Sequence, residues 1–299
     1  MRPNPVLRKL GFADDDRLVI IHTDDIGMCQ ASVAAFADLW DFGLISSGAV
    51  MVPCPWFLEA AQFARAHPDA DLGVHITLTS EWATYRWGPI STVDRASGLF
   101  DEEGYFPHRA EQTQASATPE AVSLEIQAQI ERALQMGMQP THADTHMGTV
   151  AHPKFIPAYI QMALRFGLPP MIMRFDEEGW LRWGLDPATA RFAAQVVAQL
   201  EEQGVPLLDH LSGLELDRAT TTAERIAYAR QVLGDLEPGV THFIIHPSVD
   251  TPELRAITPD WRCRVADYNA FSSEELKSFV AASGLHVIGY RDLQRLMQA

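Results

Sequence analysis

R-L-V-I-I-H-T-D-D-I-G, from Arg17 to Gly27, sets the reading of the whole chain. Leu18 to Ile21 is a short, β-branched apolar run of the kind that forms a buried strand. It leads directly into His22, Thr23, Asp24 and Asp25, and Gly27 then permits a sharp turn. Adjacent carboxylates at the end of a buried strand are costly unless a cation or a shared proton holds them. A turn with a helix cap is the plainer alternative, since Asp is common in both. Similar polar strand endings recur downstream, and that recurrence favours a functional pair.

Working outward, the 299 residues suit either two ordinary domains or one large α/β barrel. A hydrophobic content of 47% supports a sizeable core. The formal charge of −16 argues against nucleic acid and anionic membranes, whose phosphates it would repel. Cys29, Cys54 and Cys263 are odd in number and lack C-x-x-C spacing, so neither a disulfide framework nor a thiolate zinc site is expected. The opening M-R-P-N-P-V-L-R-K-L has positive charge but no apolar stretch behind it. The expectation is therefore no signal peptide, no membrane span and a cytoplasmic location.

Periodicity predicts strands at 18–21, 47–52, 72–78, 141–144, 171–174, 207–209, 241–245 and 286–288. Helices are expected at 30–42, 57–66, 118–135, 153–166, 188–203, 223–233, 274–282 and 291–297. This alternation implies a parallel α/β sheet, closed as a barrel or left open and doubly wound. No linker or composition shift divides it, so a single domain over residues 1–299 is expected. Residues 80–115 break the rhythm as an inserted loop region, rich in aromatics such as Trp82, Tyr85 and Trp87. A loop this long usually serves a site.

The polar strand endings are Asp24 and Asp25, His75, Asp144 and His146, Arg174, Asp209 and His210, and His246. In a parallel barrel these would share the face where active sites lie. Asp25, His75 and His146 are the leading candidates, because one carboxylate with two imidazoles suits a divalent transition ion. His142, His242 and His286 lie early in their strands and read as structural, while His22 stays undecided. No G-x-S-x-G elbow, G-x-G-x-x-G or phosphate-binding loop occurs, so nucleophilic and nucleotide chemistry have no motif behind them.

Taken together, four segments resemble the YdjC-like carbohydrate deacetylases, also described as chitooligosaccharide deacetylases. The family's x-x-D-D-[FI]-G is matched by His22 to Gly27, its G-[LIV]-H by Gly73-Val74-His75, its D-[SG]-H by Asp144-Thr145-His146, and its late H-P by His246-Pro247. The resemblance implies a distorted (β/α) barrel, polysaccharide-deacetylase-like, and metal-dependent removal of an acetyl group from an N-acetylated sugar. By position, Asp25, His75 and His146 would hold a divalent ion, magnesium or zinc. Asp24 would be the general base and His246 would serve as acid or oxyanion donor. Arg174 stands where the family often has Arg and would contact substrate. Trp82 and Trp87 would stack on sugar rings.

Two departures stand out. Gly148 occupies the place of a second family His, and His22 replaces a more typical Asn. Two rival readings follow, a different metal-dependent barrel hydrolase or a sugar-binding relative whose chemistry has decayed. Retention of both Asp24 and Asp25 speaks against decay. The oligomeric state stays open, with a homodimer among the options.

Overall fold

Apolar runs covered on both faces become strands of a parallel sheet. The computed structural model describes residues 3–298; residues 1, 2 and 299 of the expected 1–299 domain lie outside them. Seven strands pair in parallel among the described residues: β1 Arg17–Ile26, β2 Ser47–Val50, β3 Leu72–Ile76, β4 Ala143–Thr145, β5 His210–Gly213, β6 Gly239–Ile245 and β7 Leu285–Val287. Their order is β4-β3-β2-β1-β6-β5, with β7 alongside the first three residues of β1. Single bridges Ala143↔Pro170 and Met173↔Leu208 carry the ring from β4 round to the segment that enters β5. The result is the expected distorted barrel rather than an open doubly wound sheet. The strand expected at 171–174 shrinks to these bridges, its N–H groups at Met171 and Arg174 bonding to Ala143 O on one side and Leu208 O on the other.

The interior is layered. Residues two apart on a strand share a face, so Leu18, Ile20, His22 and Asp24 project to one side of β1. Leu18 and Ile20 pack with Met173, Leu208, Val240, Val6 and Leu7 to make an apolar floor. Helix Pro5–Lys9 plugs this end, where the Asn4 side chain caps the helix at Val6 N and donates to Leu207 O (2.9 Å) and Asp209 Oδ2 (2.7 Å). Above the floor lie His22, His142 and His242 around Tyr290. The carboxyl ends of β1, β3, β4 and β6 carry Asp24, Asp25, His75, Asp144, His146 and His246. No helix among the described residues is long and apolar enough to cross a membrane.

Two placements differ from the sequence reading. β1 continues to Ile26, so the acid pair lies within the strand rather than after it. Asp209 and His210 stand at the start of β5, not at its carboxyl end. The predicted helices at 30–42, 57–66 and 274–282 form as expected. Five more, Pro5–Lys9, Ala110–Ser116, Glu177–Arg182, Pro252–Ile257 and Trp261–Phe271, lie outside the periodic segments.

Helix Trp261–Phe271 packs beside β6 and turns charged residues inward. Asp267 is fully buried; its Oδ1 accepts from Arg225 Nε at 2.6 Å and its Oδ2 from His246 N at 3.0 Å. Arg225, also buried, donates to Glu215 O and Arg218 O as well. Removing one partner of such a pair strands the other charge at a cost of about 3–5 kcal/mol. Asp267→Ala should therefore lower the denaturant midpoint by an amount of that order. An unchanged midpoint would show that Arg225 finds other partners.

Candidate metal centre and active site

A regular strand would send Asp24 and Asp25 to opposite faces. Here the β1–β2 register shifts between Thr23 and Ile26, and Asp25 has φ of 62°. That left-handed conformation costs a non-glycine residue on the order of 1–3 kcal/mol. The irregularity brings both carboxylates to one imidazole, with His75 Nε2 lying 3.7 Å from Asp24 Oδ2 and 3.6 Å from Asp25 Oδ1. Gly27 completes the turn at φ of 87°, where a Cβ would stand 3.3 Å from Phe57 Cα.

Asp25, His75 and His146 offer donor atoms that all lie within 4.8 Å of one another, and all three residues are buried. His146 Nδ1 is 3.1 Å from Asp25 Oδ1. That oxygen is sealed from solvent and receives no well-directed hydrogen bond. Its partner Oδ2 accepts from Arg264 Nη1 at 2.7 Å. The far nitrogen of each ring is also fixed, His75 Nδ1 by Asp144 Oδ1 at 2.8 Å and His146 Nε2 by Glu81 Oε2 at 3.1 Å. Carboxylates behind ligating imidazoles set their tautomer and raise their basicity. An orphaned buried oxygen with two oriented imidazoles beside it fits a divalent ion.

Electrostatics agree with this arrangement. Burial pushes the Asp25 carboxyl up, but Arg264 and then His146 outweigh it and hold the group well below the usual carboxylate range. Burial likewise opposes ionisation of Asp24, and His75 with His22 reverses the balance, so its value is lowered. Burial would depress His75, yet Asp144 and Asp24 raise it well above the ordinary imidazole value. His146 is pushed up to about 9, burial being overcome by Glu81 and Asp25.

Asp24 also faces His75 but is not among the three clustered donors. Its Oδ1 is held by His22 Nδ1 at 2.8 Å, which leaves Oδ2 facing His75 Nε2 and, at 3.9 Å, His246 Nε2. His246 lies just past the end of β6, and its Nδ1 is buried without a partner. Burial pushes its value down, against the opposing pull of Asp25 and Asp24. Five of the residues singled out in the sequence thus converge at one mouth.

Trp82 and Trp87 lie beside that mouth, and both are largely buried in the core, at 9% and 3% exposure. Trp87 donates Nε1–H to Thr79 O at 2.8 Å and meets the His146 ring edge-on with centroids 6.4 Å apart. Trp82 packs against Trp87 and beneath the Arg264 guanidinium. Arg174 is not brought here. It pairs with Glu201 and, through Nη1, with Asp209 Oδ1 at 3.1 Å. Asp209 N bonds Val240 O near the start of β6, roughly 20 Å of strand before His246 at about 3.3 Å per residue. The expected substrate contact by Arg174 is corrected accordingly, since its charge serves carboxylates at the other end of the barrel. Gly148 lies in the turn after His146, with nothing within 4 Å of where a Cβ would project.

Arg264 and Glu81 are site residues that sequence reasoning does not single out. Glu81 begins the inserted loop directly after β3, a position that is its one readable signal. Arg264 has none, because its helix lacks a recognisable apolar period.

A parallel α/β barrel with a carboxylate–imidazole cluster at its carboxyl-terminal mouth defines the class of protein. The family model described as YdjC-like protein matches residues 18–282, and the chain belongs to that family. The carbohydrate deacetylase of Thermus thermophilus is 33% identical over 276 residues, covering 92% of this chain and 94% of its own. The carbohydrate deacetylase of Enterococcus faecalis is 30% identical over 280 residues, covering 93% and 98%. A crystal structure from Enterococcus faecalis, named for cellobiose-phosphate cleavage, superposes with a TM-score of 0.74 at 22% identity, over 93% of this chain and 99% of that one. That likeness concerns the fold.

The raised His146 value has a consequence in metal-free protein. Its favourable charge pairing is present in full below the unfolded value of 6.5 and is lost as pH rises through about 9. With chelator present, the urea midpoint should fall between neutral pH and about pH 9.5, and Glu81→Gln should flatten that fall. A wild-type midpoint that does not change over this range would contradict the pairing.

Proposed function

We propose that this protein is a metal-dependent carbohydrate deacetylase that hydrolyses the acetamide of an N-acetylated sugar or short oligosaccharide. The observation that carries this reading is the placement of two adjacent carboxylates beside the same imidazole. Asp25 joins His75 and His146 in a three-donor cluster, while Asp24, the preceding residue, keeps one oxygen turned toward the same space. Relatives named carbohydrate deacetylase over nine-tenths of the chain support the substrate class.

Asp25, His75 and His146 would hold the ion, zinc or magnesium, with the two imidazoles favouring zinc. Such an ion, when bound, polarises an amide carbonyl and lowers the pKa of water. Asp24 acts as general base. Its Oδ2 takes a proton from the attacking water as the oxygen adds to the acetyl carbon, and His22 holds Oδ1 so that Oδ2 keeps its direction. His246 supplies a proton to the sugar nitrogen as the C–N bond breaks, releasing amine and acetate. The chain works as one domain, with residues 80–115 supplying a wall of the sugar site through Trp82 and Trp87.

Asp24→Asn should keep bound metal and fold yet lose about 10²–10⁴-fold in turnover, measured as acetate release over a panel of N-acetylated sugars. Ala at Asp25, His75 or His146 should instead lower metal content directly. Wild-type turnover in Asp24→Asn with metal in place would move the base elsewhere.

His246→Ala should reduce kcat far more than it raises KM, whereas Trp82→Ala should raise KM by about fivefold, a stacking-sized effect. A His246→Ala enzyme altered only in melting temperature would make that residue structural. Unchanged KM in Trp82→Ala would leave the ring as packing alone.

A further inference from the structure

Beneath Asp24 the barrel interior carries polar groups that deacetylation as described above does not use. His22 Nε2 lies 2.9 Å from His142 Nε2. His142 Nδ1 lies 3.0 Å from Thr141 Oγ1, and Thr141 donates its hydroxyl proton to Asp71 Oδ1. Asp71 also accepts from Ser47 Oγ at 3.1 Å and from Arg291 N at 2.7 Å. These contacts form one unbroken chain from Asp24 to a carboxylate at the amino end of the barrel, and every side chain in it is buried.

The chain is also held mechanically. The His142 ring stacks on Tyr290 with centroids 3.8 Å apart and planes 13° from parallel. Its other side lies against Gly73, where a Cβ would come within 2.4 Å of the ring. Only glycine admits His142 in this place, which gives a physical reason for the G-V-H spacing of β3.

Hydrogen-bond direction follows from the inventory of donors. Burial raises the Asp71 value, but Arg291 N, Thr141 and Ser47 all donate to its oxygens, so the carboxyl group is the acceptor and the single Thr141 proton is committed to it. Thr141 Oγ1 must then accept from His142 Nδ1–H. Burial, with His22 and His242 adding to it, pushes His142 well below the usual imidazole value, so the ring carries one proton. Its Nε2 is therefore a lone pair, and His22 donates to it from Nε2 while donating from Nδ1 to Asp24 Oδ1, so this pattern requires a proton on each His22 nitrogen. A metal site among His22, Asp24, Asp144 and His242 is the competing use of these groups. It is disfavoured because the His22 and His242 rings overlap at 4.4 Å and 35°, and because both His22 nitrogens are already engaged.

We propose that Asp71, Thr141 and His142 are positioning residues that act through His22, fixing its ring and its hydrogen-bond direction so that Asp24 Oδ1 is held and Oδ2 faces the substrate. This rests on the reading of Asp24 as the base, so the test has an arm independent of turnover. In the full-length protein, ¹⁵N-edited spectra of the imidazoles should show His142 protonated at Nδ1. In Thr141→Val, which removes the hydroxyl but keeps the shape, this tautomer should switch to Nε2–H. The same variant should lose about tenfold or more in kcat with little change in KM, the scale of losses at groups that orient active-site ligands. Thr141→Ser should restore both, and a weakened fold alone would move neither the tautomer nor kcat per folded molecule. His142 protonated at Nε2 in the wild type, or Thr141→Val with wild-type kcat, overturns the proposal. If Asp24→Asn retains turnover while the tautomer switch is seen, the base reading fails and the chain itself stands.

Discussion

The structure depends on one backbone irregularity, the left-handed Asp25 inside β1. Without it, consecutive residues of a strand could not both reach a single imidazole. The strain is offset by what Asp25 gains: a buried guanidinium on one oxygen and two imidazoles beside the other. Strain persists only where its surroundings over-determine it. Here Arg264, itself tied to Asp260 at 2.7 Å, and the turn at Gly27 supply that determination.

From this point the rest of the barrel can be understood as a gradient. The large apolar core that includes the inner faces of the helices, with the smaller floor, gives the net burial that folding requires, at roughly 25 cal/mol per Å² of apolar surface. The middle layer trades part of that gain for oriented histidines. The mouth holds charges that would be prohibitive if unpaired. Each is met by an opposite charge or a directed hydrogen bond, and the second sphere of Asp144, Glu81 and Arg264 does most of this. Asp267 extends the same logic outward, joining the end of β6, and with it His246, to a helix on the barrel exterior.

The residues that converge at the mouth were legible because they sit where apolar runs stop, and a strand end is visible in a sequence. Asp24, Asp25, His75, His146 and His246 all had that signature. Arg174 shared it and was misplaced, since its segment pairs with Leu208, where the chain enters β5, and so meets Asp209 near the amino end of the ring. Arg264 was invisible for the opposite reason. Its helix buries Arg264 and Asp267 together, so no apolar period marks it. Short helices escaped through brevity: Thr251-Pro-Glu caps Pro252–Ile257 as Thr118-Pro-Glu caps Pro119–Gln135, but six residues show no repeat. The bulge itself has no sequence signal beyond the adjacent acids.

The central claim is that one strand end separates a metal-holding carboxylate from a free one. A crystal loaded with zinc, studied by anomalous diffraction at the zinc edge, tests this most directly. A single strong peak shared by Asp25, His75 Nε2 and His146 Nδ1, with Asp24 outside the coordination shell, is the expected result. A peak ligated by Asp24, or one seated among His22, Asp144 and His242, would contradict it.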